Sequence, residues 1–263
     1  MRFASTFRFL GRAFAVNAKA VLEYRANFFL QVFGMMLNNA AFAVFWKVLI
    51  DRTGGVGGYG FTDIMFVWAV SSTSFGLAHV VAGNIRSISR MVREGELDVY
   101  LLQPRDVWLN VVCSRTVVSA WGDFAYGFIV LALMPGVGLG RWLVFLAIIP
   151  AAALVFAAAF SAAETLAFWL GDSQGISGAL QEFLLSFSLY PETIFEPGMR
   201  WIFYTLVPSA FVAYVPLAAW RSLDWGAVGV VWAAALAWLL LTRALFRAGL
   251  KRYESGNKMG ARI

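Results

Sequence analysis

Apolar runs of membrane-crossing length alternate with short polar stretches along almost the whole chain. Runs at 28–50, 64–85, 111–135, 142–170 and 226–246 reach or exceed the ~20 residues a helix needs to cross a bilayer, and a shorter run lies at 176–190. The run at 142–170 is long, which predicts tilt or protrusion. Its alanines at 151–153, 157–159 and 162–163 predict close helix packing. Between the first two runs, Gly54 to Gly60 reads as a short hairpin; no Gly-Lys-Ser/Thr follows, so it is no phosphate-binding loop. Lys47 can snorkel toward that end, while Asn38 and Asn39 fall inside the first run. Ser71, Ser72, Ser74 and His79 fall in the second, where they can bond to their own or a neighbouring helix.

Residues 4–25 follow a different pattern. At about 100° per residue, Phe3, Phe7, Leu10, Phe14 and Val21 share one face, and Arg8, Arg12, Lys19 and Glu23 share the opposite one. Such a helix lies in the membrane interface; as a span it would bury too many cations. Ala15-Val16-Asn17-Ala18 faintly resembles a signal-cleavage site, but Arg8 and Arg12 interrupt the apolar region that cleavage requires, and none is expected.

The apolar run at 201–216 is ambiguous by hydropathy, and charge decides it. If it dips in and returns, Arg2, Arg8, Arg12, Lys19, Arg25, Arg86, Arg90, Arg93, Arg105, Arg115, Arg243, Arg247, Lys251, Arg252, Lys258 and Arg262 all face the cytoplasm. That is sixteen of the 21 basic residues, with Arg52, Arg141, Arg200 and Arg221 outside. Pro208 and Pro216 also break the run, as a re-entrant hairpin would require.

The predicted fold is an all-α polytopic membrane protein of six spans, with both termini in the cytoplasm. An interfacial helix occupies 1–27, spans one and two 28–85, a cytoplasmic loop 86–110, spans three to five 111–190, an external re-entrant segment 191–225, and the sixth span with a basic tail 226–263. Composition agrees: 60% of residues are hydrophobic and 14% charged, too apolar for a soluble domain. The net charge of +6 is absorbed by the cytoplasmic loops, so nucleic acid is not an expected partner.

Little chemistry is available. One cysteine, Cys113, and one histidine, His79, leave no room for a disulfide, a thiolate metal site or a Cys-His pair, and no ATP-binding fingerprint is present. The ionisable residues inside spans are Asp123, midway along the third, Glu164, near the inner end of the fourth, and Glu182 in the fifth. Such residues mark either a substrate or ion path or an interhelical hydrogen bond.

The loop after the second span is the most distinctive stretch. It reads Arg93-Glu94-Gly95-Glu96-Leu97-Asp98-Val99-Tyr100-Leu101-Leu102-Gln103-Pro104. Gly95 and Pro104 bracket a turn or two of helix, with Glu96 and Asp98 near its start, where the helix dipole favours negative charge. Leu97 and Leu101 are i,i+4 neighbours, and exposed leucines on a short cytoplasmic helix suit a partner's groove; an elbow packed on its own spans is the other reading.

At these residues the chain resembles permease subunits of the ABC-2 type of ATP-binding-cassette exporters, in a bacterial branch once grouped as a domain of unknown function. The resemblance continues through Tyr190-Pro191, Ile194-Phe195, Val207-Pro208, Tyr214-Val215-Pro216 and Arg252-Tyr253-Glu254-Ser255-Gly256. It implies a second permease chain, identical or homologous, and two ATPase subunits docked beneath. It implies further that the loop at 93–104 is the coupling helix and the N-terminal helix a connecting helix. The hairpin carrying Tyr190, Pro191, Phe195, Pro208 and Pro216 would be an external gate. The chain would sit in the bacterial cytoplasmic membrane and catalyse nothing itself, with ATP and Mg on its partner. A proton-coupled transporter using Asp123, Glu164 and Glu182, or a non-transporting assembly protein, would be the alternatives.

Overall fold

The computed structural model describes residues 2–254; Ser255, Gly256, Lys258 and Arg262 lie outside the described residues, as do the side chains of Arg2, Phe3 and Phe7. The regular secondary structure of the described residues is all helical, apart from an isolated bridge between Val56 and Tyr59 in the Gly-rich turn. Helix α1 (Arg2–Glu23) is followed by α2 (Arg25–Thr53) and α3 (Phe61–Val81). Three short helices come next: α4 (Ile88–Glu94), α5 (Asp98–Leu101) and α6 (Val107–Val112). Then follow α7 (Ala120–Leu133), α8 (Leu139–Thr165), α9 (Ala167–Leu170), α10 (Gln174–Leu189), α11 (Arg200–Tyr204), α12 (Tyr214–Ser222) and α13 (Trp225–Leu250).

The chain is a multi-pass membrane protein. Four helices are long and apolar enough to cross: α2, α3, α8 continued through α9, and α13. The pair Pro197–Tyr204 and Ser209–Ser222 is bent by 76° and makes a fifth only if it counts as one span. The third expected span is shorter than drawn from sequence, and the fifth is as short as the run at 176–190 predicts. Helix α7 has 14 residues and α10 has 16, or ~21 and ~24 Å at 1.5 Å per residue.

The third span begins late for a non-local reason. Residues 113–119 pass over the end of α3, where backbone groups lack helical partners. There His79 O accepts from Val117 N (3.1 Å), Gly83 N donates to Arg115 O (3.0 Å), and Asn84 Nδ2 donates to Ser114 Oγ (2.8 Å). These bonds replace helix continuity, so α6 belongs to the preceding loop.

Helix α3 is central. Every residue from Ile64 to Ser74 is buried, as a stretch that is apolar or hydroxyl-bearing on every face, with no charge, requires. Close approach to α7 depends on two glycines. Gly76 faces the backbone of Phe124 and Ala120, and Gly127 faces Thr73 and Ala69, so a Cβ at either would overlap its neighbour. Helix α8 presents Ala151, Ala152, Ala158 and Ala163 to the interior, all buried. Helix α2 lies at the edge and leaves Phe29, Leu30, Phe33 and Leu37 exposed.

Polar ties sort the connections by end. Thr193 Oγ1 donates to Gly57 O (2.9 Å) and Arg221 Nε to Asp63 (2.8 Å), so the Gly-rich turn and both ends of segment 190–224 share one end. Trp232 Nε1 bonds to Ala147 O and Thr242 Oγ1 to Ala158 O, so α13 runs parallel to α8. At the opposite end the loop 82–119, the α9–α10 joint and the end of α13 meet. Helix α1 packs there through Phe14 against Trp121 (5.8 Å between ring centroids) and through Asn17 Nδ2 to Cys113 O (3.0 Å).

Candidate functional site

The loop at 88–112 is a pinned elbow. Helix α4 stops at Gly95, whose φ of +76° is costly for any other residue; Gly95 N and Glu96 N both turn back to Met91 O. That reversal drives Leu97 inward. Leu97 is 0% exposed and packs among Ile88, Val92, Trp108 and Phe246. The expected exposed face therefore keeps Leu101, 45% exposed, but lacks Leu97; Val99 at 63% and Leu102 at 88% complete it. Gln103 and Pro104 are exposed beside them.

Charged and hydroxyl groups fix this elbow to the rest of the bundle. Arg90 donates to Glu94 (3.1 Å) and Glu96 (2.7 Å), which hold its guanidinium more firmly charged than usual. Arg93 pairs with Asp172 at the start of α10 (3.1 Å). Asp98 accepts from the Tyr253 hydroxyl (2.9 Å), and burial together with that carboxylate pushes the phenol up to about 12. Asp106 caps α6 through Leu109 N (3.1 Å) and also accepts from Arg243 of α13 (2.5 Å). Asn110 donates to Gln103. None of Arg90, Asp106, Asp172, Arg243 and Tyr253 was expected from sequence to tie this elbow. The available signals were a cap residue ahead of an apolar run at Asp106 and a guanidinium inside the last run at Arg243.

Two buried carboxylates tie helices together. Asp123 belongs to the first turn of α7, not to mid-span. Its Oδ1 accepts from Asn39 Nδ2 (2.7 Å), Ser72 Oγ donates to its backbone carbonyl (3.1 Å), and its Oδ2 is buried without a partner. Tyr126 donates to Asn39 O (3.1 Å), which closes a joint of α2, α3 and α7. Asn38, one residue away, is exposed. Glu164 accepts from Gln181 Nε2 (2.7 Å) and from Ser89 N (3.0 Å), clasping α8 to α10 and α4. Glu182 is exposed and joins neither cluster. His79 rests on Phe75 (4.0 Å between ring centroids), with Nδ1 on Phe75 O (3.0 Å) and Nε2 buried without a partner. No group of three metal-ligating side chains occurs among the described residues.

At the other end, segment 190–224 folds over the bundle. Phe195 lies between Phe187 and Phe203, 5.1 Å from each. Pro191, Pro208 and Pro216 are buried, and Tyr190 sits at the rim against Trp46 (5.9 Å). Tyr214 OH donates to Phe187 O (2.5 Å). Below Pro208 an apolar cavity of about 220 Å³ opens among Ala159, Ala163, Leu180, Leu184 and Trp238. Phe187, Phe203 and Trp238 were not predicted for this site.

A family model described as "ABC-2 family transporter protein" matches residues 36–257. No curated protein matches the chain, and no solved structure does.

Proposed function

We propose that this chain, which belongs to the ABC-2 transporter family, is the permease subunit of an ATP-binding-cassette exporter in the bacterial cytoplasmic membrane. It holds no cofactor of its own; ATP and Mg bind separate ATPase subunits, and a second permease chain completes the pathway. The observation that carries this reading is the elbow at 93–104. It presents Val99, Leu101 and Leu102 to solvent while Arg93, Leu97 and Asp98 are tied into the bundle, as is Asp106 just beyond it. A flexible loop would absorb a partner's push; one fixed at several points passes it on. Arg93–Asp172 leads to α10, Asp106–Arg243 to α13, and Ser89–Glu164 to α8. ATP-driven closure of the partner would therefore draw the elbow and these three helices together. The bent segment at 190–224, which caps the cavity below Pro208, would open the far side as the outer gate.

Six passes with both termini in the cytoplasm fit the parallel course of α8 and α13, because segment 190–224 then leaves and returns on one side. Helices α7 and α10 are short crossings, extended by the loop residues beside them.

The test joins contact to turnover. With Cys113 replaced by Ala, Leu102→Cys should crosslink to a cysteine in the ATPase subunit's groove, and the crosslink should block ATP-driven transport in vesicles. Absence of any crosslink to the ATPase, with transport intact, refutes the coupling role. Transport that runs without the ATPase and collapses with the proton gradient would transfer the function to the proton-coupled reading. Asp123, with its unpartnered Oδ2, would then be the first carrier to examine.

A further inference from the structure

A second cavity, of about 240 Å³, opens between residues 105–108 and the last two turns of α13. Arg105, Arg243 and Arg247 line it, against a single carboxylate, Asp106. Asp106 lies 2.5 Å from Arg243 and 4.0 Å from Arg247, so it neutralises one guanidinium at most and the cavity keeps an excess of positive charge. Two guanidiniums rest on aromatic rings: Arg105 on Phe9 (4.6 Å) and Arg243 on Trp108 (5.9 Å). Ring contact orients a guanidinium and leaves its N–H groups able to bind oxygen. The remaining wall is apolar, formed by Phe246 and Leu250. Just beyond it, Leu240 and Leu241 of α13 are exposed.

A site for a free anion has no use for that apolar wall, whereas an amphiphile uses both halves. We infer that this cavity binds the phosphodiester headgroup of an anionic phospholipid from the cytoplasmic leaflet, with its acyl chains along α13. Basic pockets at the cytoplasmic ends of membrane helices suit such headgroups. The placement in that leaflet rests on the orientation proposed above. The bound headgroup bridges the coupling elbow, through Arg105, to the last helix, through Arg243 and Arg247. Lipid composition thereby sets how stiffly the elbow is joined to α13.

The test uses the full chain in neutral detergent, titrated with phosphatidylglycerol, with phosphatidylcholine of the same chains, and with inorganic phosphate. The thermal unfolding midpoint is read at each point. Phosphatidylglycerol should raise the midpoint by at least about 2 °C, and the other two should not. In Arg105→Gln/Arg247→Gln the baseline midpoint should hold, while apparent affinity for phosphatidylglycerol falls about 25-fold, roughly fivefold per lost charge. If the double variant starts from a lower midpoint, Arg247→Gln alone, on an exposed side chain, should still show the fivefold loss. An undiminished response in both variants overturns the site, as does an equal response to phosphatidylcholine. Equal stabilisation by inorganic phosphate makes it a soluble-anion site and overturns the lipid assignment. Loss of the ATPase subunit from the variant, with the lipid response intact, makes these arginines a protein-docking surface and overturns it too. Glu254→Cys, labelled by an impermeant reagent from outside the cell, would sink the proposed orientation while leaving the detergent titration to be judged by itself.

Discussion

A substitution at Leu97 and a double substitution four and five residues on should fail in opposite ways. Leu97→Ala removes a fully buried side chain from the cluster around Trp108 and Phe246. Lost burial plus the cavity left behind costs about 2–5 kcal/mol of stability, a large share of a membrane domain's margin. Leu101→Asp/Leu102→Asp alters side chains that are 45% and 88% exposed, so stability should move by less than about 0.5 kcal/mol. Its cost falls on the partner instead. On the coupling role proposed above, burying Leu102 and the free half of Leu101 in an apolar groove would contribute about 2–4 kcal/mol, which corresponds to ~30- to ~900-fold in affinity. The assay reads both quantities on one preparation: the thermal unfolding midpoint in detergent, and the ATPase retained by the tagged permease. Leu97→Ala should lower the midpoint and lose the ATPase only in proportion to unfolded protein. The double aspartate should keep its midpoint and lose the ATPase. A double aspartate that retains wild-type ATPase, or a Leu97→Ala variant that keeps its midpoint while releasing it, would refute the division of labour between the two faces.

Three other outcomes follow from the packing. Gly127→Ala pushes a methyl into Thr73 and Ala69 and should destabilise by about 1–3 kcal/mol in detergent unfolding, whereas Gly34→Ala, with open space on α2, should be neutral or stabilising by up to ~1 kcal/mol. Glu164→Ala strands Ser89 N–H and the Gln181 amide and should cost about 2–4 kcal/mol in the same assay; Glu164→Gln, which keeps an acceptor, should cost less than half of that. Tyr253→Phe should lose about 1 kcal/mol, read as an equal midpoint difference at pH 7 and pH 9. The phenol is raised from 10.0 to about 12 by burial and Asp98, so its contribution is complete below pH 10 and lost as pH rises toward 12.

The long helices were legible because lipid imposes one demand, a continuous apolar run, which any sequence window can show. What was not legible depended on partners distant in the chain. The break at 113–119 is made by α3's terminal carbonyls and Asn84, while residues 111–117 by themselves look like helix. Asp123 was placed mid-span because that helix was drawn from residue 111, nine residues before Ala120. Leu97 and Leu101 share a helical face by spacing, yet four residues of helix give no period long enough to say which side the protein covers. Gly95's positive φ decided that. The tie between Asp106 and Arg243 spans 137 positions and leaves no local pattern. The Gly95–Pro104 bracket, by contrast, was readable, since both residues act on their own backbone.

The alanine face of α8 has a consequence in the temperature dependence of motion. An alanine side chain has no rotamers to freeze or release. When α13 shifts along Ala151, Ala158 and their buried neighbours, α8's half of the seam changes its contact energy but not its side-chain entropy. Motion across that seam should therefore have an equilibrium that varies little with temperature on this account, unlike a seam of interlocked leucines, where every displacement melts and refreezes side chains.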